Sequence, residues 1–313
     1  MRTSPQARTA TGAVQTTCNL CGAAVRSAAS LLFEKDDHVI VRCPVCGLVF
    51  RGTLPTRDEL EDIYGPAYFG GSGGLEGREG YLDYVADADV HRANARRRLQ
   101  RLEDVTVPGR LLDVGCAAGF FVDEATRRGW EACGVDVSRA MIQWGRRHIA
   151  AELRVGTLRD VPIDPEVSCV TMWDYIEHAL DPRGDLEHAF ARLRPGGVLA
   201  LSTGDAGSAL ARASLARWHL MTPRHHNFFF SRRTITRLLE SVGFEVLAVG
   251  HPAAVFPLRY LAHKACLTVD VSLLDALARR LARSRFGALT VPFNLLDVMT
   301  VLARRPTMSA RAG

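Results

Sequence analysis

The chain of 313 residues has no long apolar run and is almost devoid of lysine. No run reaches the roughly 18 apolar residues that a membrane-spanning helix needs. The N-terminal stretch MRTSPQARTATGAVQTT has no apolar block of the kind found in secretion signals. We therefore expect a cytoplasmic location and no stable membrane insertion. Lys35 and Lys264 are the only lysines, so arginine carries the net charge of +5. Because acids are interspersed and no basic stripe contains aromatics, we expect no nucleic-acid partner.

Two common nucleotide-binding loops are also missing. The chain contains no Gly-x-x-x-x-Gly-Lys-Ser/Thr phosphate loop. A dinucleotide fingerprint, Gly-x-Gly-x-x-Gly, counted from Gly115 would place Ala117 and Phe120 where glycines are required. Nicotinamide and flavin cofactors are therefore disfavoured.

The stretch RLLDVGCAAGFF, residues 110–121, is the most informative segment that is present. An apolar strand runs into Asp113 and then into a turn in which Gly115 and Gly119 have the spacing Gly-x-x-x-Gly. A strand that ends in this way and leads into a helix can receive a ligand with a ribose and a charged tail. The glycine spacing is the arrangement used for S-adenosylmethionine.

A second strand, within the segment Cys133 to Ser138, supports this interpretation independently. It ends in Asp136, about twenty residues beyond Gly115, where a carboxylate can accept hydrogen bonds from both ribose hydroxyls. The alternative is that Asp113 and Asp136 only cap the helices that follow them.

Further short apolar runs continue the same rhythm. They are residues 153–157, 167–174, 197–203 and 244–250, with helix-length stretches between them. Runs of this kind fill a parallel sheet that is covered on both faces. The alternation predicts an α/β fold with a doubly wound sheet.

At this point the chain resembles the class I S-adenosylmethionine-dependent methyltransferases. The resemblance covers roughly residues 98–306 and includes the stretches MWDYIEHALDP (172–182), LRPGGVLALST (193–203) and SRRTITRLLESVGFEV (231–246). It implies a Rossmann-like, mostly parallel sheet of seven strands, with S-adenosylmethionine as the methyl donor. The candidate cofactor-binding residues in this region are Asp113, Gly115, Cys116, Ala117, Gly119, Asp136, Val137, Thr157, Leu158 and Trp173.

Four cysteines near the N-terminus have the spacing of a zinc ribbon. Cys18 and Cys21 form one C-x-x-C pair, Cys43 and Cys46 form another, and a glycine follows each pair. Four thiolates give a closed tetrahedral shell, so we expect a structural zinc ion. The alternative is two disulfides, which a chain without a secretion signal disfavours.

The segment between the ribbon and the core predicts a short helix at 58–64, a flexible loop at 70–80 and a long helix at 81–102. The layout resembles bacterial methyltransferases in which this segment folds over the cofactor. Tyr68, with its neighbours Tyr64 and Phe69, is then a candidate to cover the methionine end of the cofactor. The alternative is that these aromatics pack between ribbon and core.

The expected divisions of the chain are a disordered N-terminus (1–14), the ribbon (15–52), a linker and cap (53–97), the core (98–306) and a disordered tail (307–313).

Two histidines are candidates for the base that removes the acceptor proton. His178 follows the fourth strand in DYIEH, and His226 lies in TPRHHNFFFS, a loop expected to form the roof of the acceptor pocket. The resemblance assigns His226 to the family's His-x-aromatic-aromatic-Phe-Ser pattern. Either histidine could instead hold the loop by bonding a backbone carbonyl.

Asp174, Glu177 and His178 are a candidate site for a second divalent metal. The chain distantly resembles ubiquinone-pathway O-methyltransferases, which have an acid-x-x-Glu-His group here. Carboxylate and imidazole ligands suit zinc or manganese better than magnesium. The alternative, which we favour, is that Glu177 and His178 only support the start of the next helix.

A largely apolar insertion, residues 251–291, separates the sixth strand from the seventh, which is expected to be antiparallel. Leucine spacing predicts helices at 258–269 and 273–284. The insertion could cap the pocket, form a homodimer interface or touch a membrane surface; capping and dimerisation are favoured.

These observations predict a methyltransferase for a small molecule, most simply one acting on a hydroxyl of a sugar or a secondary metabolite. One alternative is a carbon methyltransferase for a keto-sugar, whose relatives share a four-cysteine N-terminal domain. Those relatives carry a large additional C-terminal domain, whereas this chain ends soon after the expected seventh strand. An oxygen atom is therefore the favoured methyl acceptor. The other alternative is a non-catalytic S-adenosylmethionine-binding module, which the intact cofactor loop disfavours.

Overall fold

A computed structural model describes residues 13–25, 30–56, 59, 84–160, 166–262, 284, 287 and 289–307. The N-terminal part forms short antiparallel strands. They are β1 (Ala13–Val14), β2 (Leu31–Lys35), β3 (His38–Arg42), β4 (Val49–Arg51) and β5 (Thr53–Leu54). Strands β2, β3 and β4 pair in sequence, and β1 pairs with β5. Because β1 is paired, regular structure begins two residues before the expected start of the ribbon.

The rest of the chain alternates helices and strands. They are α1 (Ala88–Glu103), β6 (Arg110–Val114), α2 (Phe120–Arg127), β7 (Glu131–Asp136), α3 (Arg139–His148), β8 (Glu152–Val155), β9 (Val167–Trp173), α4 (Pro182–Arg192), β10 (Leu193–Gly204), α5 (Ala209–Ser214), β11 (Phe228–Phe229), α6 (Arg232–Val242), β12 (Glu245–Gly250), β13 (Ala254–Pro257), β14 (Thr290–Phe293) and β15 (Val298–Arg304). A 3₁₀ turn, Leu215–Arg217, follows α5. None of the described helices is long and apolar enough to span a membrane.

Seven strands form the central sheet in the order β12-β15-β10-β9-β6-β7-β8. Strand β15 is antiparallel to both of its neighbours, and the other pairs are parallel. Every residue of β9 is buried, as expected for a central strand covered on both faces. This topology confirms the predicted Rossmann-like α/β fold.

Local signals explain where several helices begin. Asp181 accepts a hydrogen bond from the backbone N–H of Gly184 at the start of α4, and Pro182 occupies the first turn. Ser231 and Thr234 form a capping box at the start of α6. These caps are readable from the sequence because they depend only on near neighbours.

Two predicted segments differ from the structure. The long helix begins at Ala88 rather than Tyr81, because residues 84–87 form a turn; residues 81–83 lie outside the described residues. The insertion opens as strand β13, which pairs with β14, and residues 258–262 are helical. The remainder of both predicted insertion helices lies outside the described residues except residue 284, which is a bend. The predicted helix at 58–64 also lies outside them apart from residue 59.

The four-cysteine ribbon packs directly on the core. Cys18, Cys46 and Phe50 belong to the same buried cluster as core residues such as Val170 and Leu201. The ribbon sheet also gains a strand from the core, since β11 pairs with β4. The ribbon and the core segment that carries β11 are therefore one packed unit.

Candidate active site

A cavity of about 1240 Å³ lies at the carboxyl ends of β6, β7, β9 and β10. Helix α1 and the β13–β14 hairpin contribute the opposite wall. In sheets of this kind, ligands bind at this edge, where the order of the strands reverses. The volume exceeds the roughly 300–1,000 Å³ typical of a site for one small ligand. It therefore has room for a donor and an acceptor together.

Asp136 organises the glycine-rich loop. Its Oδ2 accepts a hydrogen bond from the N–H of Ala117 and its Oδ1 accepts one from the N–H of Ser138, both at 2.8 Å. The carboxylate thus holds the glycine-rich loop against the turn before α3, a helix that has no side-chain cap hydrogen bond. A carboxylate has about four lone-pair positions, so both oxygens retain capacity for ribose hydroxyls. Ligand binding is therefore compatible with the structural role of this residue.

Asp113 has a different environment. It is 2% exposed, and its Oδ1 accepts a hydrogen bond of 2.6 Å from the hydroxyl of Thr171 on β9. Burial raises the pKa of Asp113 to about 7. Asp113 lines the cavity and ties β6 to its neighbour.

Most of the predicted cofactor residues line the cavity: Asp113, Gly115, Cys116, Ala117, Asp136, Val137, Thr157 and Trp173. Gly119 and Leu158 are not among the lining residues. Gly119 begins α2 with a φ of 85°, and a Cβ there would lie 2.7 Å from Leu153 Cδ2, so it serves close packing. The Leu158 side chain is fully buried in the core. Tyr68, Tyr64 and Phe69 lie outside the described residues.

Helix α1 forms a wall of the cavity whose residues belong to none of the motifs found in the sequence. Asp87, immediately before the helix, and His91, Asn94 and Arg98 line the cavity. Their spacing of three and four residues places them on one helix face. This spacing of polar residues is the signal that could have found them.

An aromatic stack adjoins this face. The His91 ring lies 4.0 Å from the Tyr84 ring and 5.8 Å from the Phe120 ring, measured between centroids. Burial lowers the pKa of His91 to about 4, so this imidazole is neutral near pH 7. The stack forms a flat apolar surface beside the glycine-rich loop.

Asp174, at the end of β9, is held by neighbouring side chains. Its Oδ2 accepts a hydrogen bond of 2.8 Å from Arg98, and its Oδ1 accepts one of 2.7 Å from Ser202. Although burial opposes it, the Arg98 charge and the Ser202 hydroxyl lower the pKa of Asp174. The guanidinium of Arg98 also lies 4.7 Å from the centre of the Trp173 ring. These contacts hold the Asp174 carboxylate in the lining of the cavity.

The structure groups Glu177 and His178 with His226 rather than with Asp174. Potential ligand atoms of these three residues all lie within 4.8 Å of one another. Glu177 Oε2 is buried and accepts no hydrogen bond within the described residues. Burial, reinforced by the Asp174 charge, raises the pKa of Glu177 to about 8. The predicted metal set therefore differs from the observed cluster in one member, because Asp174 is engaged by Arg98.

Both predicted base histidines bond a backbone carbonyl through Nδ1. His178 Nδ1 lies 2.9 Å from the carbonyl oxygen of His225, and His226 Nδ1 lies 2.8 Å from that of Leu220. His178 lines the cavity, whereas His226 is not among the lining residues. Burial lowers the pKa of His178 to about 4. The roof loop places His226 behind His178, with 4.8 Å between their ring centroids.

Asn227 connects this roof loop to the ribbon. Its backbone oxygen accepts a hydrogen bond from the N–H of Arg51 at 2.8 Å, next to the β4–β11 pairing. Its side-chain amide donates to the carbonyl oxygen of His178, also at 2.8 Å. The ribbon thus supports the segment that carries His226.

The ribbon cysteines form a cluster of the size that zinc requires. The Sγ atoms of Cys18 and Cys46 lie 3.5 Å apart and those of Cys21 and Cys43 lie 3.6 Å apart, with all four atoms within 4.8 Å of one another. Sulfurs around a tetrahedral zinc ion lie about 3.8 Å apart. None of these cysteines forms a disulfide, and the glycines after both pairs have a positive φ, as metal knuckles require.

The part of the cavity away from the glycine-rich loop has largely apolar walls. They are formed by Val90, Trp218, Val255, Phe256, Leu261 and Phe293. Asn94 on α1 holds the hairpin in place, because its side chain bonds both the N–H and the carbonyl oxygen of Val255, at 2.7 and 2.9 Å. Arg259 forms an ion pair with Asp87 beside it. After the two ligands that the sequence predicts, we call this region the acceptor half and the region around Asp113 and Asp136 the donor half.

Comparison with known proteins is consistent with this arrangement. Proteins named ubiquinone biosynthesis O-methyltransferase are similar to part of the chain. The one from Nitrobacter winogradskyi is 31% identical over 99 residues, which are 30% of this chain and 38% of that protein. The one from Alkalilimnicola ehrlichii is 38% identical over 103 residues, which are 30% of this chain and 41% of that protein. The chain therefore spans about two fifths of the length of these relatives.

Among solved structures, a putative methyltransferase from Bacillus halodurans is similar with a TM-score of 0.49 and 17% identity, covering 69% of this chain and all of that chain. A family model described as a methyltransferase domain matches residues 86–249. Because this match spans just over half of the chain and includes the glycine-rich loop and strands β6 to β12, the protein belongs to the methyltransferase domain family.

Proposed function

We propose that the protein transfers a methyl group from S-adenosylmethionine to a hydroxyl of a small molecule with an apolar body. The observation that carries this proposal is that one cavity joins two differently built halves. Paired strand-end aspartates and a glycine-rich loop line the donor half, and aromatic and aliphatic side chains line the acceptor half. A site of this form suits a polar donor next to an apolar acceptor.

The donor half has the groups that a nucleoside donor needs. Asp136 lies at the end of β7 with lone pairs available for ribose hydroxyls, and the loop amides lie at the start of α2. Trp173 and the stack of Tyr84, His91 and Phe120 offer flat apolar faces. S-adenosylmethionine supplies an electrophilic methyl carbon on a positively charged sulfur.

The walls of the acceptor half favour an apolar acceptor over a bare sugar. A sugar needs many hydrogen-bonding partners, and burial without them is costly. Val90, Val255, Phe256 and Phe293 offer none from their side chains. A hydroxylated secondary metabolite with an aromatic or aliphatic body therefore fits better than a free sugar.

Methyl transfer to an oxygen requires alignment and removal of one proton. Transfer from a sulfonium is an in-line displacement, so the walls contribute by holding the hydroxyl opposite the carbon–sulfur bond. An imidazole in the acceptor half is the natural proton acceptor near neutral pH. His178 and His226 remain candidates from the sequence.

A metal-assisted variant of the same function is our second candidate. It is favoured by the unbonded Glu177 Oε2, which lies with His178 and His226 in a cluster of metal-binding size. A divalent ion bound there would lower the pKa of an acceptor hydroxyl. Without one, Glu177 is protonated near neutral pH and His178 is neutral, so the cluster carries little charge. The ribbon cysteines would hold a separate, structural zinc ion.

Calorimetry and product analysis test the proposed function together. S-adenosylmethionine should bind the purified protein, and Asp136→Ala should weaken binding by about 1–3 kcal/mol, because a charged hydrogen-bond acceptor is lost. Glu131→Gln is the matched control, since it changes a carboxylate at the opposite, exposed end of β7. Unchanged affinity in Asp136→Ala would contradict the donor site.

Mass detection then identifies the acceptor class. Incubation with S-adenosylmethionine and either 4-octylcatechol or methyl glucoside should yield a product 14 mass units heavier only from the apolar probe. Magnetic resonance of the product distinguishes an oxygen-bound from a carbon-bound methyl group. Methylation of the glucoside alone would overturn the acceptor class, and donor binding without transfer to any of a panel of hydroxylated compounds would favour a binding module.

A further inference from the structure

His219 and Asp297 form a carboxylate–imidazole pair in the wall of the acceptor half. His219 Nε2 lies 2.7 Å from Asp297 Oδ2. The His219 side chain is 29% exposed, whereas that of Asp297 is 3% exposed. Both residues line the cavity. The pair thus combines an accessible ring with a buried partner.

The Asp297 carboxylate is held in place by further contacts. Trp218 Nε1 donates a hydrogen bond of 2.8 Å to the same Oδ2 atom. The carbonyl oxygen of Asp297 accepts a hydrogen bond of 2.7 Å from the N–H of Asp205, which joins the start of β15 to the end of β10. Although burial opposes it, the hydrogen bonds from His219 and Trp218 lower the pKa of Asp297. The residue is therefore an ionised carboxylate near neutral pH.

An ionised carboxylate at Nε2 determines which ring nitrogen carries the proton. A neutral imidazole donates its N–H to the carboxylate, so the proton lies on Nε2 and the lone pair on Nδ1. Nδ1 of His219 makes no hydrogen bond to any described residue. The pair therefore offers a proton acceptor whose tautomer is fixed by a buried negative charge.

The pair lies in the acceptor half of the cavity and away from the donor half. The donor half lies at the ends of β6 and β7, while Asp297 and His219 lie at the β10–β15 side of the same edge. Trp218 forms part of the apolar wall there and also holds Asp297. A hydroxyl on an apolar acceptor is thus the group that the His219 ring can reach.

We propose that His219 is the general base of the methyl transfer, and that Asp297 orients the ring and stabilises the imidazolium that forms. This inference rests on the proposed function. The acceptor oxygen forms a bond to the methyl carbon while His219 Nδ1 takes the hydroxyl proton. The carbon–sulfur bond breaks, and its electron pair remains on the sulfur, which becomes a neutral thioether. The imidazolium, stabilised by Asp297, then releases the proton to solvent.

A second pair of the same chemistry provides a matched control. His251 Nε2 lies 2.9 Å from Asp205 Oδ2, also at this end of the sheet. Neither His251 nor Asp205 lines the cavity. A variant at His251 therefore removes a histidine–carboxylate contact between two residues that do not line the cavity.

Kinetics of the full chain with S-adenosylmethionine and 4-octylcatechol test the assignment. His219→Ala should lower kcat about 100-fold or more, the usual scale for a lost general base, with the donor Kd changed less than twofold. Added imidazole should restore part of this lost kcat.

Asp297→Asn should lower kcat about tenfold or more with little change in KM, because the tautomer of His219 is no longer fixed. His251→Ala should remain within about threefold of the wild type in kcat, as expected for a change outside the site.

Near-normal turnover of His219→Ala would overturn the proposal. It would also be overturned if His178→Ala or His226→Ala lost more kcat than His219→Ala and if imidazole did not rescue His219→Ala. A measurement that needs no acceptor separates this failure from failure of the proposed function. Nitrogen-15 spectra of histidine-labelled protein should show His219 as the Nε2–H tautomer in the wild type and not in Asp297→Asn. A proton on Nδ1 in the wild type would overturn the proposal even if no probe is methylated.

Discussion

At the scale of single residues, the two strand-end aspartates show how position in the sheet separates their roles. Asp136 faces backbone amides on both oxygens and retains lone pairs for a ligand, whereas Asp113 is enclosed and bonds Thr171. The same residue type at equivalent strand ends is therefore open to a ligand in one case and tied to the neighbouring strand in the other. The difference arises because Asp113 contacts the Thr171 hydroxyl on the adjacent strand β9, whereas Asp136 faces the backbone N–H groups of Ala117 and Ser138 in the loops after β6 and β7.

The raised pKa of Asp113 predicts a pH-dependent stability. Its pKa rises from 3.8 to about 7 on folding, so its contribution to stability is complete below about pH 4 and is lost as the pH rises through about 7. Asp113→Asn keeps an oxygen for Thr171 but has no proton to lose. Between pH 5 and pH 8 the free energy of unfolding of the wild type should therefore fall by about 1–3 kcal/mol more than that of the variant.

Urea unfolding without S-adenosylmethionine at the two pH values measures this difference. Asp104→Asn, which changes an exposed carboxyl at the end of α1, is the control and should follow the wild type. Parallel pH profiles for wild type and Asp113→Asn would show that Asp113 is ionised in the folded protein.

At the scale of elements, the ribbon acts as a support for the roof of the site. Strand β4 pairs with β11, and Lys35 on β2 donates a hydrogen bond of 2.5 Å to the carbonyl oxygen of Met221. Arg51 also donates a hydrogen bond of 3.2 Å to the carbonyl oxygen of Pro223. The loop that carries His225 and His226 is therefore attached to the ribbon along its length.

Cys18→Ser should accordingly release zinc and loosen the roof loop. We expect one zinc ion per wild-type chain by elemental analysis, and at least about tenfold faster amide hydrogen exchange over residues 222–229 in the variant, because the β4 edge loses its support. Exchange in β9 should not change. Cys133→Ser, which alters a cysteine of β7 outside the cluster, is the control. Zinc loss with unchanged exchange in the loop would contradict the supporting role.

The β13–β14 hairpin is the second element that forms the site. Asn94→Ala removes both hydrogen bonds to Val255, which are worth about 1 kcal/mol each. The KM for 4-octylcatechol should therefore rise about tenfold and exchange over residues 254–257 should accelerate, with donor affinity unchanged. Arg97→Ala on the exposed face of α1 is the control. An unchanged KM would show that the hairpin does not contact the acceptor.

At the scale of the whole molecule, the cavity unites the sheet, α1 and the hairpin, so donor binding should stabilise the fold. S-adenosylmethionine at 100 times its Kd should raise the free energy of unfolding by about 2.7 kcal/mol. Thermal unfolding with increasing ligand measures the effect, and Asp136→Ala should need more ligand for the same shift. Nicotinamide adenine dinucleotide is the matched negative ligand, because the glycine spacing disfavours a pyrophosphate. Equal stabilisation by both ligands would contradict donor selectivity.

The sequence by itself determined the fold class, the order of the core strands along the chain, the four-cysteine cluster and the two strand-end aspartates. These features depend on local periodicity and on spacings within one segment, such as Asp113 to Gly119 or Cys43 to Cys46. Near-neighbour patterns survive folding because a strand, a turn or a knuckle is built from consecutive residues.

Only the tertiary structure decided which of the singled-out residues face the cavity. Leu158 and Thr157 are neighbours, yet one side chain enters the core and the other lines the site. The resemblance groups Asp174 with Glu177 and His178, but Arg98, 76 residues earlier, forms a hydrogen bond with Asp174. His219 and Asp297 lie 78 residues apart and meet because β15 inserts beside β10. Pairs of this kind are set by the order of strands in the sheet, and a single sequence carries no local signal for contacts that the sheet alone brings together.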